Sequence, residues 1–121
     1  MKFIIDLIED VREEIGNHEA YTLTVGLLKQ DEENSNKLIY SGEALLGRME
    51  IDTETRKLLL NIDKKEKSLS IGVLIPQLLI LDIDTMMYEI QINVNTEHQN
   101  MEVLGFGKNN EAMRYILFIK I

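Results

Sequence analysis

The chain has 121 residues, 13 Lys+Arg against 21 Asp+Glu, a net charge of -8 and no cysteine. Zero cysteine excludes a disulfide framework, a thiol nucleophile and any Cys-based zinc site. The acidic balance argues against nucleic-acid binding, which needs clustered Lys/Arg, and against an anionic membrane surface. The length fits one domain, 1–121, and 45% hydrophobic residues suffice for a core.

Met1-Lys2-Phe3-Ile4-Ile5-Asp6 is too short an apolar start for a signal peptide. No run approaches the ~20 apolar residues that span a bilayer. A cytoplasmic location is expected. Residues 2–15 predict an amphipathic helix. Ile4, Ile8, Val11 and Ile15 recur at helical spacing, Phe3 and Leu7 widen the stripe, and Asp6, Asp10, Glu13 and Glu14 fall opposite. Gly16 and Asn17 are good terminators.

The remainder reads mainly as strands. Tyr21, Leu23, Val25 and Leu27 alternate with Thr22, Thr24 and Gly26. Residues 30–36 carry no apolar side chain and read as an exposed loop. Strands are expected at 37–40, 44–51, 57–62 and 69–75, with a hairpin loop at 63–67. Residues 52–67 also admit a helix, with Asp52 or Thr53 as cap and Lys64, Lys65 and Lys67 late, where the helix dipole favours them. Pro76, the only proline, predicts a break, an edge or a bulge between strands at 69–75 and 78–83. Tyr88, Ile90, Ile92 and Val94 alternate with polar residues. After a loop at 95–100 comes a short strand at 101–106, turn chemistry at 107–110 and a closing strand at 112–121. That last strand is apolar on both faces, which predicts a covered, central position. No linker, internal repeat or low-complexity tract stands out.

The expected architecture is α+β. An N-terminal helix precedes a mostly antiparallel, strongly curled sheet or barrel-like meander of about six to eight strands. One helix cannot cover both faces of such a sheet. It must curl on itself, or a second copy or a partner must cover its apolar face.

Chemistry-bearing candidates are few. Asp82 and Asp84, two apart after an apolar run, would share a strand face and could hold Mg²⁺ or divide acid and base roles. Asp82-Ile83-Asp84-Thr85 superficially resembles the first motif of haloacid-dehalogenase-type phosphatases. Its threonine directly follows the second aspartate, and only 36 residues follow Thr85, so that family is set aside. His18 and His98 lie in polar segments without metalloprotease spacing. Ser35, Ser41, Ser68 and Ser70 lack a nucleophile-elbow context. Gly105-Phe106-Gly107-Lys108 reads as a β-turn, since it opens onto a strand where a P-loop opens onto a helix. Lys64, Lys65 and Lys67 are interrupted by Glu66 and have no neighbouring aromatic.

The residues therefore favour a small acidic protein-binding module of the inhibitor, immunity, chaperone or adaptor kind. Its docking residues would be Asp6, Asp10, Glu13 and Glu14, with Asp31, Glu32 and Glu33, and its partner a basic protein. It needs no cofactor. The alternative is a small metal-dependent hydrolase or ion-binding protein using Asp82 and Asp84, with Glu89 or His98 as further ligands. A barrel holding a small apolar ligand is a third option. The residues point to no known family.

Overall fold

The computed structural model describes residues 1–16, 20–62, 69–94 and 100–121. Ten elements follow in order: α1 (Ile4–Glu14), β1 (Thr22–Gln30), β2 (Leu38–Asp52), β3 (Lys57–Ile62), α2 (Ile71–Leu79), α3 (Ile83–Met86), β4 (Glu89–Asn93), β5 (Asn100–Glu102), β6 (Gly105–Asn109) and β7 (Arg114–Lys120). The strands form one curled, half-barrel sheet in the order β5-β4-β3-β2-β1-β7-β6. Its two ends, β5 and β6, are separated in the chain by Val103 and Leu104 alone. Pairing is mixed. β1 runs parallel to β7, and β3 runs parallel to β4. The other pairs are antiparallel. The sheet is curled, seven-stranded and mostly antiparallel, as expected, but the two parallel pairs make it mixed.

A second helix is the larger correction. Where strands were expected at 69–75 and 78–83 with an interruption at Pro76, residues 71–79 form one helix, α2. Pro76 lies inside it and ends nothing. The proline removes one helical donor, a cost that the packing must offset. Ser70 caps the helix by accepting from the Val73 N–H at 3.2 Å. Ile71, Leu74 and Leu78 anchor it in the core. α1 buries Ile4, Leu7, Ile8 and Val11 in the same core. Full burial of each such side chain is worth about 1.5–3 kcal/mol. The two helices thus cover apolar sheet surface that was expected to need closure or a partner.

Smaller differences have local causes. The strands expected at 37–40 and 44–51 are one strand, β2, because a bulge absorbs the polar Ser41-Gly42-Glu43 step. Residues 57–62 are strand, so the rival helix over 52–67 falls. The hairpin loop expected at 63–67 lies outside the described residues. So does the loop expected at 95–100, except Asn100, which is in β5. Residues 105–109 form a strand where a turn was expected, and the turn follows at 110–113. Gly107 has a packing reason. A Cβ there would stand 2.6 Å from the Phe118 ring, and one on Gly26 would stand 2.7 Å from it. The ring lies across both glycines. β7 is flanked by β1 and β6, one strand from the end of the sheet.

The chain also contains a repeat that its residues did not announce. Ile4 N–H donates to the Tyr88 carbonyl at 3.0 Å, and Ile90 N–H donates to the Lys2 carbonyl at 2.8 Å. Ile71 N–H donates to the Tyr21 carbonyl at 2.8 Å, and Leu23 N–H donates to the Leu69 carbonyl at 2.8 Å. A shift of 67 positions converts each pair into the other, with the donor and acceptor units exchanged. The isolated bridges Phe3↔Glu89 and Thr22↔Ser70 obey the same shift.

The strand registers agree. Thr24↔Leu45 and Val25↔Ala44 correspond to Gln91↔Glu102 and Ile92↔Met101. Met49↔Leu60 and Asp52↔Lys57 correspond to Phe106↔Leu117 and Asn109↔Arg114. The parallel pair Thr22↔Arg114 corresponds to Lys57↔Glu89. From β2 onward the shift is 57, because the second unit has a shorter hairpin after its first strand. Both four-residue turns end on a residue with positive φ, Arg56 at 58° and Met113 at 52°. Two helix-plus-sheet units, 2–62 and 69–120, therefore contact each other reciprocally, as partners across a two-fold axis do.

Thr24 and Gln91 are equivalent in the two units, and both leave a buried side-chain oxygen without a hydrogen bond. Such a group forfeits hydration with nothing in return. Thr24→Val should therefore stabilise the protein by about 1 kcal/mol. A thermal melt checks this, and a lower melting temperature would mean that a bound water serves the hydroxyl.

Candidate functional site

The acidic residues singled out in the sequence do not form one patch. Asp6 is a structural acceptor: its Oδ2 takes the Phe3 N–H at 2.8 Å and closes the start of α1. Asp10 Oδ2 accepts from the Tyr115 hydroxyl at 2.5 Å. Glu14 Oε2 lies 3.1 Å from Lys108 Nζ, which also donates to the Glu14 carbonyl at 3.0 Å. Glu13 is exposed, as is Glu9, which the sequence reading passed over. Asp31 takes the Glu33 N–H at 3.0 Å in the β1–β2 loop. That loop follows the far end of β1, whereas Glu14 is tied to Lys108 in β6, whose pairing through β7 leads to the start of β1. Nine strand residues, about 30 Å, separate the two ends of β1. Asp31, Glu32 and Glu33 are thus a separate, distal group.

Two shallow clefts flank α1 on its β6 side. One, of about 240 Å³, is lined by Asp10, Glu14, Phe106, Gly107, Lys108 and Tyr115. The other, of about 210 Å³, adds Lys2, Asp6, Glu9 and Glu13 beside Asp10 and Phe106. Lys2 Nζ sits 5.7 Å above the Phe106 ring. Burial first, then the Asp10 hydrogen bond and the nearby carboxylates, pushes the Tyr115 hydroxyl well above the usual tyrosine range. This hydroxyl holds its proton firmly. That suits a structural donor and not a base or nucleophile.

Asp82 and Asp84 do not share a strand face, because they lie at the start of α3. Asp82 Oδ1 accepts from the Thr85 N–H at 2.7 Å as the helix cap. That hydrogen bond holds its carboxyl below the ordinary aspartate range. Asp84 pairs with Arg56 at 3.5 Å and is 79% exposed. Among the described residues no three His, Asp or Glu side chains converge as a metal would require. His18 and His98 lie outside the described residues. Calorimetry with millimolar Mg²⁺, Mn²⁺ or Ca²⁺ tests the metal alternative, which predicts a saturable heat that Asp84→Asn removes.

The surface that sequence reasoning missed is on α2. Its exposed positions are Val73, Pro76, Gln77 and Leu79, followed by its C-terminal cap Ile80, by Ile83 in α3 and by Met87, which caps α3. Ile80 and Ile83 are 85% and 84% exposed. The repeat supplies the comparison. The equivalents of Val73, Pro76, Leu79 and Ile80 on α1 are Asp6, Glu9, Arg12 and Glu13. The inward residues match: Ile4, Leu7 and Val11 against Ile71, Leu74 and Leu78, all buried. The two helices occupy equivalent places yet differ outward, charged on one and apolar on the other. A groove of about 170 Å³ runs between them, lined by Ile8, Val11, Arg12, Gly16, Ile75 and Leu79. Among the described residues no helix is long and apolar enough to cross a membrane. Set against models of protein families, curated proteins and solved structures, the chain matches none.

Proposed function

We propose that this chain is a small acidic cytoplasmic module that binds another protein and masks its surface. The observation that carries this reading is the uncharged outer face of α2, at positions where the equivalent helix α1 carries charge. Exposed apolar clusters on small proteins mark interaction sites. The net charge of -8 adds long-range attraction for a basic partner and would speed its arrival. The metal-hydrolase alternative has less behind it, since Asp82 and Asp84 already serve as a cap and in an ion pair.

The test is capture of a partner by the immobilised chain from an extract of its own cells at low salt. Reconstitution with the purified partner follows. A 1:1 complex whose association slows as salt rises is the expected result. Glu9→Lys with Glu13→Lys should slow association several-fold, because these two carboxylates are exposed and reversing them leaves the ties of Asp6, Asp10 and Glu14 intact. Recovery of nothing beyond the bait would defeat the reading.

A further inference from the structure

Resting on that reading, we propose that the apolar face of α2 and α3 receives a basic amphipathic helix of the partner protein. Val73, Pro76, Ile80, Ile83 and Met87 form its exposed apolar centre. The chain carries no charged residue from Leu69 to Leu81, through the whole of α2. A helix that only had to be solvated at this place in the fold would look like α1, which has the same buried anchors and a charged exterior. The groove between α1 and α2 gives a seat for a bulky apolar side chain, with Ile8, Val11, Ile75 and Leu79 as its walls. Apolar anchors three and four apart on a partner helix fit such a surface.

Charge selects the occupant. Asp82 stands exposed as the cap of α3, and Asp84, also exposed, already faces Arg56 at 3.5 Å, so Asp82 and the net charge of -8 are what favour a basic partner here. Glu9 and Glu13 stand exposed on the outer face of α1, where they line the cleft on its β6 side, and Arg12 is the charged residue that lines the groove itself. Arg12 is the one base of the last turn of α1. A second copy of this chain would bring the same carboxylates and another net -8 to the contact. A helix with an apolar stripe edged by Lys and Arg brings the opposite sign and buries the same surface.

Fluorescence anisotropy with two synthetic peptides tests this. Both are helical peptides of about 18 residues with leucine at helical spacing, one filled with lysine and one with glutamate. The lysine peptide should bind the full chain saturably, and the glutamate peptide at least tenfold more weakly. Ile80→Ser with Ile83→Ser should weaken the lysine peptide at least tenfold. Both side chains are exposed in the free chain, so circular dichroism should stay unchanged. Equal binding by wild type and the double variant would overturn the proposal and leave an acidic docking module standing. Failure to bind the lysine peptide would overturn it too, and capture of a natural partner would then decide the broader reading separately. Sedimentation showing a dimer that the double variant abolishes would assign the face to a second copy and overturn the proposal.

Discussion

Leu74→Ala and Leu7→Ala are expected to cost closely similar amounts of stability, about 2–5 kcal/mol each. Both leucines are fully buried. Each belongs to a helix that starts beside a single strand bridge and sits in the shared core. Removing the leucine end loses its transfer free energy and leaves a cavity that a close-packed surround fills only in part. A loss of 3 kcal/mol should lower the melting temperature by roughly 10–15 °C in a domain of this size. Val73→Ala, on the exposed side of α2, should change stability by no more than about 0.5 kcal/mol. Urea melts of the three variants check all of this. A gap above about 2 kcal/mol between the two leucines would mean that the halves share a topology but not a core.

The second large effect concerns alkaline pH. Tyr115 is fully buried, and its hydroxyl donates to Asp10. An unfolded tyrosine loses its proton near pH 10, whereas the folded hydroxyl keeps it because burial and the adjacent carboxylates oppose a phenolate. Above that pH the folded state holds a proton that the unfolded state has released. Stability must therefore fall as pH rises, by about 1.4 kcal/mol per pH unit from this one group. At neutral pH, Tyr115→Phe should cost about 1–3 kcal/mol, since Asp10 loses its donor. Above pH 10 the variant should decline less steeply than the native chain, so their stabilities converge and then cross. Tyr40, pushed in the same direction chiefly by burial, contributes equally to both. Urea melts from pH 8 to pH 11 give the slopes, and parallel slopes would refute the account.

Elements with one wet and one dry side were legible in the residues. α1, β1 and β4 show their faces as a period of 3.6 or of two. α2 did not, for a physical reason. Its solvent positions other than Gln77, which are Val73, Pro76, Leu79 and the cap Ile80, are apolar, so the amphipathic contrast that marks a helix is weak. The same feature that makes it a candidate docking face hid it. The repeat was concealed because each unit keeps only its inward residues. Tyr21, Leu23 and Val25 match Tyr88, Ile90 and Ile92, and Leu7 matches Leu74, but the outward positions share almost nothing. The shared pattern Tyr-x-Leu/Ile-x-Val/Ile also occurs at Tyr115, Leu117 and Ile119, so it does not single out the two units. Of the residues expected opposite the main apolar stripe of α1, Asp6, Asp10, Glu13 and Glu14, three are tied to other groups: Asp6, Asp10 and Glu14. Their engagement with Phe3, Tyr115 and Lys108 depends on contacts distant in sequence for two of the three, which no periodicity encodes.

The reciprocal pairing of the two units bears on how the chain reaches its native state. Thr22 must find Arg114, and Lys57 must find Glu89, before either half gains its parallel neighbour. Neither half alone can pair the outer edge of its first strand. Much of the native contact energy therefore arrives late, after a costly loop closure, and such topologies fold in milliseconds to seconds where helical bundles take far less. For the same reason, a chain severed between residues 62 and 69 would leave two fragments with complementary unpaired edges, each the template on which the other folds.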